Sequence, residues 1–165
     1  MFGSQSSLVM YDEEYKQIIS HSEKLVREAN AKAVFLVDRN GQLIAATGET
    51  EHLDTTSLAS LTAGNIAATG GLAKLIGEKE FSILFHEGEK DNIHISIVAG
   101  RMILVVIFVH RSSLGLVRLW VRKASEELGQ VFEDLVQKST GSGIGGDKAS
   151  PFAEISDDDI DNLFR

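Results

Sequence analysis

Residues 102–109 read Met-Ile-Leu-Val-Val-Ile-Phe-Val, eight apolar side chains with no polar residue among them. Successive side chains of a strand point to opposite faces, so such a run needs apolar cover on both sides. It is far short of the roughly 20 residues that a membrane-crossing helix requires. The run therefore predicts the middle strand of a sheet sandwiched between helices.

The flanking sequence supplies the other elements. Residues 33–37 and 42–46 are short apolar runs on either side of Asp38, Arg39, Asn40 and Gly41, and the Asn-Gly step is a strong hairpin signal. Residues 82–86 and 93–98 are strand-like. In the second of these, Ile93, Ile95 and Ile97 alternate with His94 and Ser96, the pattern of a strand with unlike faces. Three segments have helical spacing. Tyr11, Tyr15, Ile18, Ser22, Leu25, Val26 and Ala29 share one face of a helix predicted over 11–30, whose first turn holds Asp12, Glu13 and Glu14. A second helix, over 55–77 and capped by Asp54 or Thr55, has one stripe of Leu58, Leu61, Asn65, Ala68, Leu72, Leu75 and Ile76. A neighbouring stripe holds Ala59, Ala63, Ala67, Gly70 and Gly71. Glycine costs about 1 kcal/mol relative to alanine inside a helix, so Gly64, Gly70 and Gly71 suggest close approach to the backbone. A third helix, over 113–138, carries Leu114, Val117, Val121, Ala124, Leu128, Val131, Phe132 and Leu135 on one face, with Trp120 off that stripe.

The predicted fold class is mixed α/β, an α+β sandwich. Its order is helix, two strands, helix, three strands, helix, around a five-stranded antiparallel sheet. Residues 1–10 form a flexible start, 11–138 the domain, 139–150 a Gly/Ser linker containing Gly-Ser-Gly-Ile-Gly-Gly, and 151–165 a short acidic helix. In that last segment Ser156 can cap three aspartates, and Ile155 and Ile160 have the spacing of a hydrophobic staple. A helix this short is marginal alone, so its apolar side needs a partner.

Charge follows the same division. The chain has 16 Lys and Arg against 24 Asp and Glu, a net −8, and half of that excess lies beyond residue 146. An acidic balance argues against nucleic acid and anionic membrane as partners. The absence of cysteine removes disulfides, thiol nucleophiles and cysteine-ligated metals. The N-terminal residues do not read as a signal peptide, and a cytoplasmic location is expected.

No catalytic constellation emerges. Residues 64–71 (Gly-Asn-Ile-Ala-Ala-Thr-Gly-Gly) lack the Lys-Ser/Thr that completes a phosphate-binding loop. His21, His52, His86, His94 and His110 have no metal-ligand spacing; His94 is the best placed, and a surface or hydrogen-bonded sheet histidine is the expected reading. Asp157, Asp158 and Asp159 lack the spacing of a calcium loop. No enzyme site, cofactor or metal is expected. The interaction candidates are the small-residue stripe of the second helix, the acidic end segment, and Trp120, which suits a partner contact or packing against the first helix.

The element order, with FLVDRNGQLIAATG (35–48), DTTSLASLTAGNIAATGGLAKLIGEKEF (54–81), SLGLVRL (113–119) and SPFAEISDDDIDNLF (150–164), resembles the roadblock / dynein-light-chain family. It is most similar to the members that serve bacterial polarity and motility beside small Ras-like GTPases. That resemblance implies a homodimer in which the second helix and third strand pair across the two-fold, giving a continuous ten-stranded sheet. It also implies binding of one GTPase molecule and activation of its hydrolysis without an inserted arginine, by aligning the GTPase's own arginine and glutamine. On the same grounds the GTPase-facing residues are Ala63, Ala67, Gly70, Gly71 and Lys74. The end segment, through Phe152, Ile155, Ile160, Leu163 and Phe164, would fill a groove on the GTPase and promote nucleotide exchange.

Overall fold

The computed structural model describes residues 10–110 and 112–141. The order is α1 (Asp12–Glu28), β1 (Ala33–Asp38), β2 (Leu43–Gly48), α2 (Thr55–Leu75), β3 (Ile83–His86), β4 (Asp91–Val98), β5 (Met102–Val109) and α3 (Leu114–Gly141). The five strands form one antiparallel sheet in the order β2-β1-β5-β4-β3. The strand with no polar residue is the central one. Val106 of β5 lies between Val34 of β1 and His94 of β4.

Strand alternation then divides the core in two. Val34, Leu36, Leu104, Val106 and Phe108 point to the side covered by α1 and α3, where Ile18, Leu25, Val121, Leu128 and Phe132 meet them. Phe35, Val37, Ile103, Val105 and Ile107 point to the opposite side, where α2 contributes Ala59, Ala63 and Ile66. Both layers are buried, as the continuous apolar run required.

Several boundaries shift by one to three residues from expectation. Helix α1 ends at Glu28 rather than Asn30, because Asn30 adopts a left-handed backbone, with φ of 52°. Asparagine is among the few residues that tolerate this conformation. Residues 39–42 connect β1 to β2. Gly41 N–H donates to the Asp38 carbonyl (3.1 Å), Gly41 takes φ of 87°, and Asp38 Oδ1 accepts from the N–H groups of Asn40 and Gln42 (both 2.9 Å). The register shifts between Leu36 and Val37 beside it. Helix α3 continues to Gly141, so it takes in the first three residues assigned to the linker. Met10, assigned to the flexible start, packs against the α1–α3 core. The segment 151–165 lies outside the described residues.

Candidate interaction face on helix α2

Helix α2 starts at Asp54, whose carboxylate accepts from Ser57 N–H (3.0 Å) and from the Ser57 hydroxyl (2.7 Å). These bonds to the charged form hold the Asp54 carboxyl below its ordinary pKa. The helix is apolar nearly all round, and the structure decides which side faces in. Ala59, Thr62, Ala63, Ile66 and Ala73 are buried. Three of its leucines face out: Leu61 is 74% exposed, Leu72 58% and Leu75 82%, and Ile76, just past the helix, is 69% exposed.

Small residues lie inward because α2 sits very close to the β1–β2 turn. A β-carbon on Gly41 would come within 3.2 Å of Ser60 Cα and 3.5 Å of the Ala63 methyl. Leucines in the inner row would hold the helix away from the sheet. Outside, Leu61, Ala68, Leu72 and Leu75 form a row at helical spacing, since 100° per residue brings them to one side. Asn65 flanks that row, and its amide lies 3.0 Å from His86 Nε2, which joins α2 to β3. Strand β3 pairs only with β4, so its outer edge is unpaired, and Ile83 on it is 54% exposed.

The residues expected to face a GTPase do not all share one environment. Ala67, Gly71 and Lys74 are exposed on the flank of α2 away from Asn65. Gly70 is half-buried at their margin. Ala63 is buried against the hairpin and belongs to the core of the α2 side. The space around Gly64, Gly70 and Gly71 is open: nothing lies within 4 Å of a β-carbon built on any of them. No other described residue therefore makes a close approach there. Phe152, Ile155, Ile160, Leu163 and Phe164 lie outside the described residues.

The outward leucine row is the feature that sequence reasoning did not single out as a site. Its signal was present as two apolar rows on one helix, of which only one can face the sheet. His94 needs a correction too. It is neither a surface nor a hydrogen-bonded histidine: it is 1% exposed, and neither ring nitrogen has a hydrogen-bond partner among the described residues. Trp120 packs half-buried against the α1–α3 core, beside His21, Lys24 and Leu25 of α1. Among the described residues no cluster of histidine, aspartate or glutamate could hold a metal ion. No helix among them is long and apolar enough to cross a membrane.

The model of the Roadblock/LC7 domain matches residues 20–108. The chain belongs to the Roadblock/LC7 family. Among solved structures, this roadblock chain is similar to Myxococcus xanthus MglB, at 62% identity over 78% of this chain and 96% of that one, with a TM-score of 0.74. The gliding protein MglB from Thermus thermophilus shares 34% identity over 78% of this chain and 97% of its own, with a TM-score of 0.72. An MglB structure described as having a tetrameric arrangement matches equally, at 34% identity, the same two coverages and a TM-score of 0.73. None of the curated proteins compared with the chain matches it.

Proposed function

We propose that this roadblock protein is a homodimeric regulator of a Ras-like small GTPase of the MglA type, rather than an enzyme in its own right. The observation that carries this is the 62% identity to Myxococcus xanthus MglB across nearly all of that chain. The exposed row on α2 supports the dimer. Leu61, Leu72, Leu75 and Ile76, with the unpaired edge of β3 beside them, form a surface that a second copy can cover and extend. Burying one such side chain contributes about 1.5–3 kcal/mol.

The other flank of α2 receives the GTPase. Ala67 and Gly71 carry little or no side chain, so partner loops can lie against the backbone, and Lys74 can meet an acidic group at the margin. The protein brings no catalytic group. It stimulates GTP hydrolysis by holding the switch regions so that the GTPase's own arginine and glutamine are aligned. The segment 151–165 contributes a second contact that promotes nucleotide exchange. The setting is the cytoplasm, with enrichment at a cell pole, in polarity and gliding motility, where other polarity proteins are further partners.

Single-turnover GTP hydrolysis by the cognate GTPase, with and without saturating protein, tests this. Acceleration is expected. Binding without acceleration would instead make the protein a non-catalytic scaffold that recruits the GTPase or polarity factors.

A further inference from the structure

The outward side of the N-terminal half of α3 is apolar and basic together. Leu116 and Leu119 are 39% and 48% exposed, and Arg118, Arg122 and Lys123 are exposed around them. Helical spacing sets Leu119 beside Leu116, Arg122 and Lys123. Residues 112–125 contain these three bases and no acid. None of the three has an ion-pair partner among the described residues. Lys123 instead lies over the Trp120 ring, with Nζ 4.6 Å from its centroid. Two leucines ringed by unpaired cations call for a ligand that is acidic and apolar at once.

The chain carries such a ligand. Residues 152–165 contain Glu154, Asp157, Asp158, Asp159 and Asp161 against Arg165 alone, with Phe152, Ile155, Ile160, Leu163 and Phe164 among them. We propose that this segment docks on the α3 face formed by Leu116, Leu119, Arg122 and Lys123. The reach is sufficient. Leu119 lies 22 residues back along the helix from Gly141, about 33 Å at 1.5 Å per residue. The 14 residues from Gly141 to Ile155 span up to about 46–50 Å when extended. Tethering of this kind supplies an effective concentration on the order of millimolar, so a weak site suffices. One consequence, unlike the docking itself, rests on the proposed function: apolar side chains held on α3 cannot at the same time fill a groove on a GTPase. The α3 face would hold the segment in reserve until the GTPase competes for it.

The chain has no cysteine, so Asn162→Cys allows a single nitroxide label on the full-length protein. Amide signals of residues 115–123 are expected to lose roughly half their intensity or more, because a label on a docked segment lies within the range of paramagnetic relaxation. The loss should reverse in an Arg122→Glu/Lys123→Glu variant and at about 0.5 M salt, where exposed charges are screened. Trp120, the sole tryptophan, should become more accessible to the uncharged quencher acrylamide in the same variant. Losses spread evenly over the domain, losses centred on α2, or losses unchanged by charge reversal would overturn the proposal. No GTPase enters this experiment, so its failure is distinguishable from failure of the hydrolysis assay.

Discussion

The carboxylate of Glu14 is held against the ammonium of Lys138, joining the first turn of α1 to the end of α3 across 124 residues of chain. Glu14 is buried although it stands among exposed acids, and Lys138 also lies over the Tyr11 ring, 5.8 Å from its centroid. The hydrogen bond to Lys138 lowers the Glu14 pKa below 4.5, against the opposing effect of burial, and the same bond raises Lys138 above 10.5.

Lys138→Met should therefore lower the urea midpoint at pH 7, because it leaves a buried carboxylate unpaired. Glu14, with its folded pKa depressed, contributes stability above its unfolded value that is lost as pH falls through the folded one. Lys138, with its pKa raised, contributes stability below its unfolded value that is lost as pH rises through the folded one. The deficit of the variant should thus be largest between about pH 5 and 10 and shrink at both ends. An equal deficit at about pH 3 would show that packing, not charge, is what Lys138 supplies.

His94 predicts a second pH dependence. Burial holds its imidazole below 6.5, and Arg118 across from it adds to the shift. The unfolded chain takes up this proton near pH 6.5 while the folded chain resists, so stability falls as pH drops below that value. Each unit of pKa difference is worth about 1.4 kcal/mol. His94→Leu should match or exceed the parent in stability and flatten its decline between about pH 7 and 5, since it removes two unpartnered buried nitrogens. A less stable variant would mean that the imidazole is hydrogen-bonded in solution, and a decline left intact would mean that another group causes it.

Two glycines separate backbone strain from steric overlap. Gly77 has φ of 83° and open space around it, so Gly77→Ala should cost about 1–2 kcal/mol. Gly48 has φ of 87°, but a β-carbon there would stand 2.5 Å from the Lys32 carbonyl oxygen and 3.0 Å from Ala33 Cα. Gly48→Ala should cost clearly more, on the order of 3–4 kcal/mol. Urea unfolding of the two variants compares them directly.

Three substitutions on α2 separate its sides. Ala67→Arg should leave stability within about 0.5 kcal/mol, as exposed positions do, yet abolish stimulation of GTP hydrolysis. Leu75→Arg should convert a dimer into monomers in analytical ultracentrifugation. Ala63→Leu should cost about 1–3 kcal/mol by overpacking the contact with Gly41. If Leu75→Arg leaves the dimer intact, the outer leucine row is not its interface.

The sheet and its central strand were legible in the residues alone. Eight apolar residues in a row can be satisfied only between two covered faces, and the alternation in 93–98 and the Asn-Gly step located the neighbouring connections. The core rows of α1 and α3 were legible as well, because their apolar residues lie on one side with polar residues opposite. The orientation of α2 came only from the packed fold. That helix is apolar on opposite sides, so its periodicity points in two directions. Its close seat on the β1–β2 turn puts Ala59 and Ala63 inside and leaves Leu61, Leu72 and Leu75 outside. The partnership of Glu14 and Lys138 was hidden in the same way. In sequence Glu14 is one of three acids at a helix start, and burial selects it only once α3 crosses beside it.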